Sequence, residues 1–171
     1  MKKFFALTAV IFAFTLSSIA QSSATASVTA VILTPIAISN TVDMDFGILA
    51  GSVTPGTCDL ATDGSRSTTG GVTIMAGGTP AAASFNVTGS AGAVYTITLP
   101  AGVTTVSNGT QTMTVDAWIS NPTPTGTLSG AGASTLLVGA TLNVAASQAA
   151  GTYNVTNAGG SGEFTVTVNY Q

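Results

Sequence analysis

The sequence predicts an all-β fold, a sandwich with Greek-key connections, and three observations carry that prediction. Short runs rich in Thr, Val and Ile recur along the chain with Gly, Pro and Asn between them, the spacing expected of sandwich strands and their turns. No segment holds a helical period with capping residues at both ends. The last residues, Glu163 to Gln171 (EFTVTVNYQ), alternate apolar and polar without a break. Phe164, Val166, Val168 and Tyr170 therefore share one face of a strand, and Thr165, Thr167 and Asn169 share the other. Covering four such side chains is worth roughly 6–12 kcal/mol, at about 1.5–3 kcal/mol each, and a bare strand of this kind is a template for strand addition. What covers that face is the question on which function turns.

Taken in order, Met1 to Ala20 has a basic start at Lys2 and Lys3, an apolar run from Phe4 to Leu16, and small residues at Ser18-Ile19-Ala20 suited to cleavage before Gln21. It reads as a secretory signal. The run is shorter than the ~20 apolar residues of a membrane span, and a second cut after Ser22-Ser23-Ala24 would shift the mature start. Residues 21–34 form an N-terminal extension and residues 35–171 the sandwich domain. Strands are expected near Thr25–Leu33, Ile36–Asn40, Val42–Leu49, Gly71–Met75, Ala82–Thr88, Ala93–Leu99, Thr110–Ile119, Ser134–Val138, Thr141–Ala145, Gly151–Thr156 and Glu163–Tyr170. Breakers such as Thr54-Pro55-Gly56, Asn108-Gly109 and Asn121 to Gly126 separate most of them. The period of two turns Phe85, Val87, Tyr95, Ile97, Leu99, Met113, Val115, Ala117, Leu142, Val144, Tyr153 and Val155 inward. It places Trp118 on the opposite face of its strand, as a packing anchor near an edge rather than a ligand platform.

Composition excludes several function classes. Of three basic residues, two leave with the signal, so Arg66 stands alone against six acids and the mature net charge is −5. Nucleic acid and anionic membranes are poor partners for such a surface, and no membrane span remains in the mature chain. There is no histidine and no mature lysine to serve as a base. Glycoside hydrolysis by paired carboxylates needs an aromatic-lined cleft, and aromatics total 6%. No enzymatic activity and no cofactor are expected. Asp43, Asp45, Asp59 and Asp63 are hard donors of the kind calcium takes, but none fits the spacing of a calcium loop, and they read as solvated turn carboxylates. Cys58, the lone cysteine, rules out an internal disulfide and is assigned no role. The Asn-x-Thr triplets at Asn86, Asn108 and Asn154 arise readily by chance in Thr-rich strands and are discounted.

The first mature residues offer a second alternation, at the other end of the chain. Ala26, Val28, Ala30 and Ile32 share one face, or, in the other phase, Val31 and Leu33 do, before Pro35 ends the run. Such an arm and the C-terminal strand can pair by strand addition, within one chain or between neighbours.

Here the residues reach a resemblance. Asp43-Met44-Asp45-Phe46-Gly47, Phe85 to Gly89, Val138 to Leu142, Ala150-Gly151-Thr152-Tyr153 and Phe164 to Tyr170 make the chain from about Ala24 onward resemble the bacterial domain-of-unknown-function family 4402. The apolar extension and the C-terminal alternation with its penultimate tyrosine also look like pilin subunits of chaperone–usher fimbriae. The pilin resemblance implies an immunoglobulin-like sandwich lacking its last strand, held by a periplasmic chaperone, delivered to an outer-membrane usher and completed by the extension of the next subunit. Val28, Ala30 and Ile32 would be the donor strand, and Phe164, Val166, Val168 and Tyr170 would border the acceptor groove. The expected product is a homopolymeric surface fimbria. The competing expectation is a self-complemented adhesive domain that binds through the loops near Asp59 to Ser67 or Asn121 to Gly126.

Overall fold

The computed structural model describes residues 21–171, and the expected signal, 1–20, lies outside them. The chain divides into two units at Ile32 and Leu33. Within the first, residues 21–32 hold no strand, which corrects the strand expected over Thr25–Leu33. Alternation supplies a face but no ladder, and an extended segment without a neighbour leaves its backbone groups to water.

Twelve strands make up the second unit: β1 (Ala37–Val42), β2 (Leu49–Ala50), β3 (Gly56–Leu60), β4 (Arg66–Gly70), β5 (Thr73–Ile74), β6 (Ala83–Thr88), β7 (Val94–Thr98), β8 (Thr104–Ser107), β9 (Thr112–Asn121), β10 (Thr125–Thr127), β11 (Ala133–Val144) and β12 (Thr167–Tyr170). All pairings are antiparallel, and no helix occurs among the described residues. The fold is an all-β sandwich, as the sequence predicts.

The larger sheet is organised on β11. Along one edge β6 pairs with its first half, Ala133–Val138, and β3 with its second, Ala140–Val144. Along the other edge runs β9. β1, β4 and β8 lie outside β6, β3 and β9. Gly139 marks the switch from β6 to β3. A Cβ there would collide with the Leu60 carbonyl, so only glycine lets the incoming strand approach. By sequence this glycine reads as a break between two strands, whereas it permits one continuous strand to serve two partners.

The smaller sheet, in the order β10-β7-β12, faces the β6 half of the large sheet. Between them lies the main core: Ala83, Phe85, Val87, Leu136 and Val138 from one side, Tyr95, Val166 and Val168 from the other, with Leu128. The other half curls around a second cluster of Cys58, Val72, Val115, Ala140, Leu142 and Val144. Met44 and Trp118 pack against both.

Other boundaries move. Ile36–Asn40 and Val42–Leu49 become the single β1, an isolated bridge from Asp45 to Ala81, and the two-residue β2. The β3–β4 hairpin, β8 and β10 fall where the sequence suggests breakers or loops. Gly151–Thr156 forms no strand beyond one bridge from Asn154 to Ser107. There, side-chain bonds replace a ladder. The Tyr153 hydroxyl donates to Ala149 O (2.8 Å) and accepts from Gln148 and Asn108, and Asn157 donates to Ser107 O (2.7 Å).

Candidate functional site

The C-terminal strand keeps the predicted phase throughout. Phe164, Val166, Val168 and Tyr170 turn inward, and Thr165, Thr167 and Asn169 outward. Val166 and Val168 are each only 7% exposed. Phe164 meets Phe85 edge-on with ring centroids 6.3 Å apart, and lies over Trp118 at 4.6 Å. The lid demanded by the alternation is therefore the facing sheet of the same domain.

What β12 leaves open is its backbone edge. Gln171 N donates to Val94 O (3.2 Å) and Thr96 Oγ1 donates to Asn169 O (3.2 Å). Opposite these, Ile97 N donates to Pro124 O (3.0 Å) on the β10 side. In an antiparallel pair the bonded residues alternate, so the main-chain groups of Thr167, Asn169 and Gln171 face β7. Those of Val168 and Tyr170 face away. They have no partner among the described residues. Edge strands are normally blunted by charge, proline or a bulge, and Thr167–Tyr170 has none of these. The neighbouring edge is β1, which carries a bulge between Asn40 and Val42.

Trp118 does not follow the period read from the sequence. The β9–β11 register shifts between Gly139 and Thr141, and Ala117 adopts φ +48°. This bulge inserts one residue and inverts the phase. Ala117 is therefore exposed rather than inward, and Trp118 turns into the core beside Phe164, with its indole N–H donating to Gly102 O (3.1 Å). A tryptophan with no aromatic neighbour in sequence acquires one from the far end of the chain.

The expected donor residues Val28, Ala30 and Ile32 lie in the first unit, in no strand and exposed, Val28 and Ile32 each to 95%. Val31, which belongs to the other phase, is 81% exposed.

The carboxylates are occupied locally. Asp45 accepts from Gly47 N (2.6 Å), Asp43 from Asn40 Nδ2 (2.9 Å), Asp59 from the Thr141 hydroxyl (2.7 Å), and Asp63 from the Ser65 hydroxyl (2.6 Å) and amide (2.9 Å). The two Ser65 bonds hold the Asp63 carboxyl below its usual range. No cluster of metal-ligating side chains occurs among the described residues. Arg66 Nη1 donates to Phe46 O (2.7 Å), so the one basic side chain among the described residues is spent on a backbone carbonyl. Cys58 is fully buried, and burial raises its thiol pKa, as suits a small core residue. Across the outer face runs a row of Thr69, Thr57, Asn143, Thr114 and Thr105 on five adjacent strands.

A family model described as a domain of unknown function (DUF4402) matches residues 36–170. The chain belongs to that family. No curated protein and no solved structure matches it. The matched span opens one residue before β1 and closes on the last residue of β12, so the family unit covers all twelve strands and leaves the 21–34 extension outside it. Among the described residues no helix is long and apolar enough to cross a membrane.

Proposed function

We propose that this chain is a non-enzymatic structural protein of the bacterial surface, exported by its N-terminal signal and assembled from copies of itself by strand addition at β12. The carrying observation is the unpaired outward row of Val168 and Tyr170 main-chain groups on an uncharged edge. Main-chain bonds give affinity at such an edge, and alternate side chains set the register. The donor in this reading is the 21–33 arm of a second copy, with Val28, Ala30 and Ile32 on its apolar face. Phe164, Val166, Val168 and Tyr170 border the strand that receives it. A periplasmic chaperone and an outer-membrane usher are the partners that the pilin likeness suggests. The surface supports the proposal too, because its hydroxyl-rich outer row, single arginine and lack of mature lysine suit a lasting extracellular polymer.

The test is a denaturing gel of mature protein taken from its host surface, boiled and unboiled, beside a variant lacking residues 21–33. A ladder that collapses on boiling and is missing from the variant is the expected result. A single monomer band from the intact chain overturns the proposal.

One observation favours a second reading, a self-sufficient adhesive domain. The inward face of β12 is already covered by the domain's own sheet, so folding needs no donated strand. The two segments expected to bind as loops keep a turn at their centres, residues 61–65 between β3 and β4 and residues 122–124 between β9 and β10, with strand ends on either side. Glycan-array binding by a strictly monomeric protein would favour this reading.

A further inference from the structure

Tyr170 carries two separate sets of bonding groups. Its main-chain N–H and C=O belong to the outward row of β12. Its hydroxyl reaches elsewhere, donating to Thr34 O (2.6 Å) and accepting from Ser90 N (2.7 Å). Thr34 N in turn donates to Ser90 Oγ (2.6 Å). These bonds close a triangle between the penultimate residue of the chain, the residue that precedes Pro35 at the start of the domain, and the turn between β6 and β7. The space for the hydroxyl comes from Gly89, where a Cβ would collide with it. A phenol has one proton to give and lone pairs to receive, so both directions of the clamp are assigned.

Tyr170 is also the last residue of β12, paired on one side only, with Tyr95. The end of a strand held along one edge is where local opening is cheapest. A strand added on the other side would bond the main chain of this same residue and stop it fraying.

We propose that Tyr170 is a positioning residue that couples the β12 edge to the root of the N-terminal arm, Leu33–Ile36. Filling the edge holds the hydroxyl on Thr34 and orders the root. With the edge empty the same bonds form, but the strand end is free to fray and they open more often. Because coupling between two sites is reciprocal, an ordered root also favours strand binding at β12. A copy whose edge is filled thus presents its own arm from a fixed root, which makes each addition favour the next. This rests on the strand-docking reading of β12.

The test is amide hydrogen exchange on the chain from Gln21 onward, with and without a saturating synthetic peptide of residues 24–33 (ATASVTAVIL). Without peptide, Tyr170→Phe should speed exchange at Thr34 and Ser90 about fivefold, the effect of losing one ordinary hydrogen bond. Ser90→Ala, which opens the triangle while leaving β12 untouched, should do so at Thr34. Unchanged exchange in both variants overturns the clamp whether or not the peptide binds. With peptide, the wild-type chain should slow at Thr34 and Ser90 as well as at Val168 and Tyr170, and Tyr170→Phe at Val168 and its own position 170 alone. Protection of β12 with no slowing at Thr34 in the wild type overturns the coupling and leaves strand docking standing. No protection of Val168 or Tyr170 overturns docking and the coupling built on it.

Discussion

Trp118 and Phe164 stack with ring centroids 4.6 Å apart at an interplanar angle of 36°, joining the centre of the large sheet to the residues that lead into β12. Trp118 packs against both clusters, and Phe164 belongs with the first. The contact therefore ties the C-terminal strand to the junction of the two halves of the fold.

Phe164→Ala should cost about 2–4 kcal/mol, somewhat under the ~3–5 of a fully buried aromatic because the ring is only partly buried. Trp118→Ala should cost a similar amount. A double-mutant cycle by denaturant unfolding should show about 0.5–1.5 kcal/mol of coupling, and strictly additive losses would mean the stack is incidental.

Ala117→Gly should stabilise the domain. Its φ of +48° lies in the left-handed region, which costs an L-residue roughly 1–2 kcal/mol. Part of the relief is offset by glycine's larger unfolded-state entropy, leaving a gain of up to about 1 kcal/mol, read as a higher denaturation midpoint.

If copies assemble by strand addition at β12, Asn169→Lys should abolish that assembly without harming the fold. Asn169 points outward from β12, and a charge on an edge strand discourages a further strand. Unfolding should move by less than about 0.5 kcal/mol, while the heat-sensitive ladder is lost. A ladder that persists would show that another edge receives the arm.

Trypsin should leave the domain from Leu33 to Gln171 intact. Its only target is Arg66, in a paired strand with its guanidinium bonded to Phe46 O, so cleavage has to await opening of the hairpin. Rapid cutting under native conditions would contradict this geometry. Arg66→Ala should cost about 1.5–3 kcal/mol, the range for a charge-assisted bond.

Cys58 and Asp63 should each contribute a slope to the stability–pH profile. Burial raises the Cys58 pKa, so the unfolded chain ionises first. That contribution is full below the ordinary thiol pKa of about 8.5 and falls as pH rises beyond it. The Ser65 hydroxyl and amide lower the Asp63 pKa. Its contribution is present above the ordinary carboxylate pKa of about 3.9 and is lost as pH falls through the folded value. Thiol reagents should modify Cys58 only in denaturant, and reaction of the native protein at neutral pH would contradict its burial.

Much of the fold is legible in the chain because strand alternation is a local property. Phe164 to Tyr170, Phe85 with Val87, and Leu142 with Val144 each report their own phase through their immediate neighbours. Legibility ends where a residue answers to something distant. Gly139 looks like a punctuation mark until Leu60 is seen pressed against it. Pro55-Gly56 looks like a turn until β4 and β11 are seen flanking Gly56–Leu60 as β3. The β9 bulge at Ala117 leaves no mark in composition, so simple alternation puts Trp118 on the wrong face.

Residue type and a period of two were enough to specify the class of fold, the inward set of the C-terminal strand, the near-absence of charge and the lack of any internal disulfide partner for Cys58. Tertiary closure was needed to settle what covers the C-terminal strand, which main-chain groups it leaves unpaired, and where Trp118 and the Tyr170 hydroxyl find their partners. Those depend on which segments meet, and meetings between residues as far apart as Thr34 and Tyr170 are fixed by closure of the whole core, not by any stretch of the chain read alone.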